Sequence, residues 1–313
     1  MNFKKPKFWD LKKKTIISYL LLPFTIPIII NNHFLNKKLK KIPQKIKSLC
    51  VGNIYLGGTG KTPTVIELYK ILNDFNLKIS TGKKFYPSHS DERSILKKNT
   101  RFVSGNNRNE ILEIAKKNDQ DLIIFDDGLQ DKNISYDLQF VCFDSERWIG
   151  NGNLIPSGPL REKISSLKKY DAVFLKHHDE QYNFILDTIK NINSDLKIFF
   201  TKYTIKNIHK FDLSQNYLIF SGIGNPHDFK KTLLNYNFKI IDEIIFPDHF
   251  NYEKKDINKI KKQAEKINAK IITTEKDYVK ISKINDIDLN YIEIDLEILN
   301  KTKLIDFLKS RIL

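Results

Sequence analysis

The stretch VGNIYLGGTGKTP, residues 51–63, constrains this chain more than any other. An apolar run from Ser48 to Ile54 reads as a short strand, and a helical pattern runs from Thr64 to Leu72 beyond the glycines. Strand, glycine loop and helix in that order are the arrangement that wraps phosphate. Glycines let backbone N–H groups approach phosphate oxygens, and the helix adds its positive N-terminal end. On this reading Gly57, Gly58, Thr59, Gly60, Lys61 and Thr62 bind nucleotide phosphates. Lys61 reaches the β- and γ-phosphates, and the Thr62 hydroxyl ligates Mg²⁺. The strict spacing asks for glycine where Tyr55 stands, but that position leaves the strand and lies outside the 57–60 turn. Pro63 suits a first helical turn, where its missing N–H would be unpaired anyway. The competing reading is a glycine turn before a surface lysine; the strand–loop–helix context weighs against it.

A second run, LIIFDD, ends a buried strand in two aspartates, the arrangement that sets a carboxylate beside Mg²⁺. Asp126 is the expected metal partner, with Asp127 assisting. Further strands are expected near 78–81, 138–143 and 172–175, with a helix at 109–117. This alternation predicts an α/β fold: a parallel sheet with helices on both faces, of the phosphate-loop NTPase type. A smaller C-terminal α/β domain begins near 210, with strands at 217–220 and 270–273. The expected division is 1–35, 36–210 and 211–313. Guanine-specific GTPases are disfavoured because the nearest [NT]-K-x-D string, Thr274-Glu275-Lys276-Asp277, has its lysine one place late. Partition-type ATPases carry a lysine before the glycine pair, where this chain has Leu56.

Net charge is +16, which attracts polyanions: nucleic acid, anionic lipid or a phosphorylated substrate. No zinc-finger spacing or RNA-binding aromatic motif supports nucleic acid, and none is expected as a partner. Cys50 and Cys142 each sit in an apolar run and read as buried thiols of a reducing compartment. Thr15 to Ile30 is sixteen residues without a charge, flanked by Lys12, Lys13 and Lys14 and by Lys37, Lys38, Lys40 and Lys41. As one helix it would span about 24 Å, short of the ~30 Å hydrocarbon core, and Pro23 and Pro27 would bend it. A buried core helix and a cleaved signal peptide are the alternatives. The favoured reading is a segment that dips into the inner leaflet with lysines at the headgroups, the rest of the chain being cytosolic.

Six strings in order, VGNIYLGGTGKTP (51–63), DDGLQ (126–130), GNGNLIPSGPLRE (150–162), SGIGNP (221–226), FPDHFNY (246–252) and TEKDYVK (274–280), resemble the tetraacyldisaccharide 4′-kinase family. The resemblance implies transfer of the ATP γ-phosphate to the 4′-hydroxyl of tetraacyldisaccharide 1-phosphate, giving lipid IVA in lipid A biosynthesis, with ATP and Mg²⁺. It also implies residence at the cytoplasmic face of the inner membrane, against an anionic surface. It assigns Asp91, in Ser90-Asp91-Glu92-Arg93, as the base, aided by His249. Lys61 and Arg161 neutralise charge, and Arg108, Gln130 and Glu92 lie on the acceptor side.

Two departures stand out. The family's S-R-G-Y string is Ser80-Thr81-Gly82-Lys83 here, and the histidine usual after D-D-G-x-Q is Asp131. Both fall on the expected acceptor side. The competing functions are a membrane-bound ATPase of another kind, with acceptor-independent turnover, and a non-enzymatic basic membrane-binding protein.

Overall fold

The strands at 47–52, 122–126, 138–144 and 172–176 of the large sheet are largely apolar runs buried on both faces, as parallel strands covered by helices must be. The computed structural model describes residues 5–35, 46–86, 90–177, 182–282 and 289–313, and the side chains of all of these except 34, 35 and 90. Lys37, Lys38, Lys40 and Lys41 lie outside that set. The strands are β1 (Lys47–Gly52), β2 (Ile79–Lys84), β3 (Phe102–Gly105), β4 (Leu122–Asp126), β5 (Leu138–Asp144), β6 (Ala172–Lys176), β7 (Lys197–Ile205), β8 (Asn216–Ser221), β9 (Lys239–Ile245), β10 (Lys270–Thr274), β11 (Asn290–Ile292) and β12 (Ile294–Ile298). The helices are α1 (Ile16–Leu20), α2 (Ile26–Leu35), α3 (Lys61–Asn73), α4 (Ser90–Asn99), α5 (Arg108–Lys117), α6 (Asn183–Ile192), α7 (Pro226–Asn235), α8 (Lys254–Lys266), α9 (Glu275–Ile281) and α10 (Lys301–Ile312).

Two compact units result. One comprises Lys5–Phe85, Asn99–Lys202 and Glu297–Leu313; the other comprises Tyr86–Lys98 and Tyr203–Leu296. This differs from the expected division into 1–35, 36–210 and 211–313: the N-terminal segment from Lys5 is part of the first unit. Tyr86–Lys98, which carries Asp91, belongs with the C-terminal unit, and the last helix, α10, returns to the first. We call the two the loop unit and the C-terminal unit.

An eight-stranded sheet runs in the order β12-β7-β6-β5-β1-β4-β2-β3. The pairs β1–β4, β1–β5, β2–β4, β2–β3, β5–β6 and β6–β7 are parallel. Register sets Val51 of β1 beside Asp126 of β4, so the loop after β1 and the aspartates after β4 leave the same edge of the sheet. That edge, at the strands' carboxyl ends, is where open parallel sheets bind ligands. Cys50, Ile123, Phe125 and Val141 pack with Ile111 and Leu112 of α5 on one face. Helix α3 packs against β1, β2 and β4, and Phe307 of α10 meets Phe140 and Phe199.

The C-terminal unit holds a second parallel sheet, β11-β10-β8-β9. Tyr217, Ile219 and Ile272 pack with Phe229 and Leu233 of α7. Leu218 and Phe220, alternate residues of β8, pack with Ile257 and Ile260 of α8 and Ile281 of α9. Period-two alternation thus supplies both faces from one short strand.

The stretch Thr15–Ile30 is not one helix. Thr15 caps α1 in a reciprocal box with Ser18, a 3-10 turn at Leu22–Thr25 holds Pro23, and α2 begins with Pro27 in its first turn. Pro23 and Pro27 break the run because neither can donate the N–H an uninterrupted helix needs there. No helix among the described residues is long and apolar enough to cross a membrane. Nor is this a core helix: Ile16 is 80% exposed, Leu20 69% and Phe24 66%. Its buried side is held by the 151–161 loop of the same unit. Asn151 Nδ2 donates to Ser18 Oγ at 3.0 Å, Ser157 Oγ donates to the Ser18 carbonyl at 2.7 Å, and Asn32 Nδ2 donates to the Arg161 carbonyl at 2.9 Å. Trp9, 1% exposed, donates from Nε1 to the Pro156 carbonyl.

Candidate active site

The glycine loop has the backbone its sequence demands. Gly60, at the N-cap of α3, has φ +86°, in the left-handed region where glycine bears no Cβ penalty. Buried Asn53 staples the loop from within, donating from Nδ2 to the Gly57 carbonyl and to Thr59 Oγ1, both at 3.1 Å. Tyr55 is buried and turned away from the loop. It bridges to Leu160, and its hydroxyl is engaged by Lys5 and Asp10 of the N-terminal segment. The missing glycine therefore costs the phosphate loop nothing, since the residue there holds the chain preceding α1.

Thr62 Oγ1 donates to Asp126 Oδ2 at 2.8 Å. The other carboxylate oxygen, Oδ1, is buried with no hydrogen-bond partner among the described residues. Such an orphan is costly unless something else occupies it, and beside a hydroxyl at a phosphate loop a hard cation suits it. Among the described residues no cluster of three or more His, Cys, Asp and Glu side chains forms a metal cage. Mg²⁺ characteristically takes one or two protein oxygens and completes its shell with water and phosphate, so this donor set fits it.

Asp127 is held differently. Its φ is +66°, an uncommon backbone for a residue with a side chain and one that clusters at functional sites. Lys61 Nζ lies 3.7 Å from Oδ2, and Arg161 Nη1 donates to both oxygens at 3.2 and 3.3 Å. Burial opposes ionisation of Asp127, yet Lys61, Arg161 and Lys83 outweigh it and keep the carboxyl well below the usual range. Arg161 also donates to Gln130 Oε1 at 3.3 Å, and Gln130 Nε2 donates to Glu162 Oε1 at 2.7 Å.

Arg108 is nearly buried. It donates twice to the Asp127 carbonyl, at 2.7 and 3.0 Å, and pairs with Asp131 at 2.8 Å. It thus braces the turn that bears Asp127, and Asp131 is its partner.

The second group of predicted residues lies in the C-terminal unit. Asp91 is buried; its Oδ2 is 3.3 Å from His249 Nδ1 and 3.4 Å from Lys280 Nζ. The histidine contact has the distance of an ion pair without the alignment of a hydrogen bond. Glu92 pairs with Lys276 at 2.9 Å. Burial of Asp91 opposes its charge, but His249, Lys276 and Lys280 hold it firmly ionised. His249 has φ +56° and donates its backbone N–H to the Gly222 carbonyl. Burial tends to lower its pKa, but Asp91, Asp248 and Glu92 raise it. Asp277 anchors this region, accepting from the Gly222 N–H at 2.9 Å and Thr274 Oγ1 at 2.7 Å.

Sequence reasoning did not single out Asn53, Lys83, Glu162, Lys276 or Lys280 as site residues. Asn53, Glu162, Lys276 and Lys280 stand inside strings it quoted for resemblance. Lys83 stands in the string Ser80–Lys83, where the sequence alone gives it no role.

A parallel sheet with a phosphate loop after its central β1, a lysine and hydroxyl at the following helix, and a strand-end aspartate pair defines a phosphate-loop α/β protein. Residues 18–81 and 86–313 match the family model described as LpxK, tetraacyldisaccharide-1-P 4′-kinase. The tetraacyldisaccharide 4′-kinase of Pelagibacter ubique is 46% identical over 308 residues, covering 97% of this chain and 96% of that protein. That of Rickettsia akari is 35% identical over 317 residues, covering 94% and 92%. A crystal structure of LpxK from Aquifex aeolicus, titled an "apo" form in complex with ATP, superposes with a TM-score of 0.67 at 20% identity. It covers 95% of this chain and all of that one, and shows the same fold. The chain belongs to the tetraacyldisaccharide 4′-kinase family.

Proposed function

We propose that this protein transfers the γ-phosphate of ATP to the 4′-hydroxyl of tetraacyldisaccharide 1-phosphate, forming lipid IVA in lipid A biosynthesis. Family membership supports the reaction class. The observation that carries the site reading is the buried Asp126 carboxylate, one oxygen bound to Thr62 of the phosphate loop and the other left without a donor.

Backbone N–H groups of residues 57–62 hold the phosphates, and Lys61 meets the γ-phosphate. Thr62 and Asp126 would hold Mg²⁺. When bound, the metal neutralises charge on the β- and γ-phosphate oxygens. Asp127 positions Lys61 and Arg161, both of which face charge that spreads over the transferring phosphoryl group. The acceptor oxygen forms a bond to γ-phosphorus as the bond to the β–γ bridging oxygen breaks, and ADP departs. The family resemblance gives Asp91, whose Oδ2 lies 3.3 Å from His249 Nδ1, as the group that takes the hydroxyl proton.

The exposed side chains of Ile16, Ile17 and Leu20 on α1 and of Phe24 on the 3-10 turn after it form an apolar face. An interfacial segment of this kind lies in the headgroup region without spanning the bilayer. We read it as the seat on the cytoplasmic face of the inner membrane, where an acylated acceptor resides. The net positive charge favours that anionic surface. The same segment grips the loop that ends in Arg161, so membrane contact and the phosphate site share one support.

The test is transfer of labelled γ-phosphate to tetraacyldisaccharide 1-phosphate in detergent micelles, with Lys61→Ala alongside. Labelled lipid that vanishes in the variant supports the reading. Lys61-dependent hydrolysis without labelled lipid would instead mean an ATPase of another kind.

A further inference from the structure

Asp126 Oδ2 accepts a second donor besides Thr62: Lys83 Nζ, at 2.8 Å. The pair is almost fully enclosed, with Lys83 4% and Asp126 0% exposed. Lys83 follows Gly82, which pairs with Phe125, so β2 delivers its ammonium directly beside the aspartate that ends β4. Both donors sit on one oxygen, and Oδ1 is left bare. Burying an ammonium is expensive, and it persists only where a charge repays it.

We propose that Lys83 is a built-in counter-charge for the metal-binding carboxylate. It pins Oδ2, presents Oδ1 as the metal ligand, and balances Asp126 while the metal is absent. This rests on reading the site as one for Mg·ATP. A fixed cation here attracts the nucleotide phosphates and repels a divalent ion, so it weakens the dependence of nucleotide binding on Mg²⁺.

The experiment measures ATP affinity by calorimetry with Mg²⁺ and with EDTA, for wild type, Lys83→Met, Lys83→Tyr and Lys83→Arg. The ratio of the two dissociation constants should rise about tenfold in the Met and Tyr variants and stay within about twofold in Lys83→Arg. A ratio unchanged in Lys83→Met and Lys83→Tyr would overturn the proposal and leave Lys83 a structural residue. Should Lys83→Met not fold, Lys83→Tyr, which keeps a donor on Oδ2, decides. On the unaltered protein, the ¹⁵N resonance of the Lys83 ammonium, assigned by its loss in Lys83→Arg, should shift when Mg²⁺ is added to the ATP complex; no shift overturns the proposal equally. Wild type that binds no ATP in either buffer defeats the nucleotide reading itself, a separate failure.

Discussion

Nδ1 of His249 lies 3.3 Å from Oδ2 of Asp91, and both residues belong to the C-terminal unit. The pair is therefore complete within one unit, while the phosphate loop belongs to the other. A role in proton transfer then separates cleanly from nucleotide binding. Asp91→Asn should lower kcat by about 10²–10⁴-fold and leave the ATP dissociation constant within about twofold of wild type. Near-normal turnover in steady-state assays would show that Asp91 is not the base.

The raised pKa of His249 has a consequence for stability. A histidine held in its protonated form by Asp91, Asp248 and Glu92 stabilises the fold below the ordinary histidine pKa, and the contribution is lost as pH rises through the raised value. His249→Asn should thus be less stable than wild type near pH 5.5, and the gap should close towards pH 9. Urea midpoints at both values test it; a gap that widens with pH contradicts the assigned charge.

Asp126 and Lys83 form a buried pair, so neutralising Asp126 takes from the Lys83 ammonium a counter-charge 2.8 Å away. Asp126→Asn should cost about 3–5 kcal/mol of stability in metal-free buffer, measured by denaturant unfolding, and should also abolish transfer. A loss under about 1 kcal/mol would mean that Lys83 finds water or another partner.

The exposed side chains of the N-terminal helices carry no core. Replacing Ile16, Leu20 and Phe24 together by serine should leave Tm within about 2 °C of wild type, since exposed changes seldom exceed ±0.5 kcal/mol each. Binding to vesicles rich in anionic lipid should drop at least tenfold in a sedimentation assay. Unchanged binding would mean that another surface holds the membrane.

Backbone at the loop is equally specific. Gly60→Ala forces a Cβ into φ +86°, at a cost of roughly 1–2 kcal/mol, and should weaken ATP binding before it unfolds the protein. Parallel calorimetry and thermal melts would show it; unaltered binding would mean that the turn re-forms.

What the sequence by itself determined is local. The strand–loop–helix at 47–73 follows from an apolar run, glycines that tolerate the turn, and a helical pattern from Thr64 to Leu72. The LIIFDD strand follows likewise, because burial on both faces leaves a continuous apolar run. Even the fate of Tyr55 was half visible, as a residue outside the turn.

Tertiary structure decided the rest. Lys83 meets Asp126 only because β2 lies beside β4, and Lys280 meets Asp91 only when α4 and α9 belong to one unit. Parallel neighbours are joined by crossovers of many residues, so no local pattern records which strand lies beside which. The apolar stretch at 15–30 read as one element because its composition is uniform. Its prolines, its cap at Thr15 and its hydrogen bonds to Asn151 and Ser157 made it two short helices, with one side bound and the other exposed.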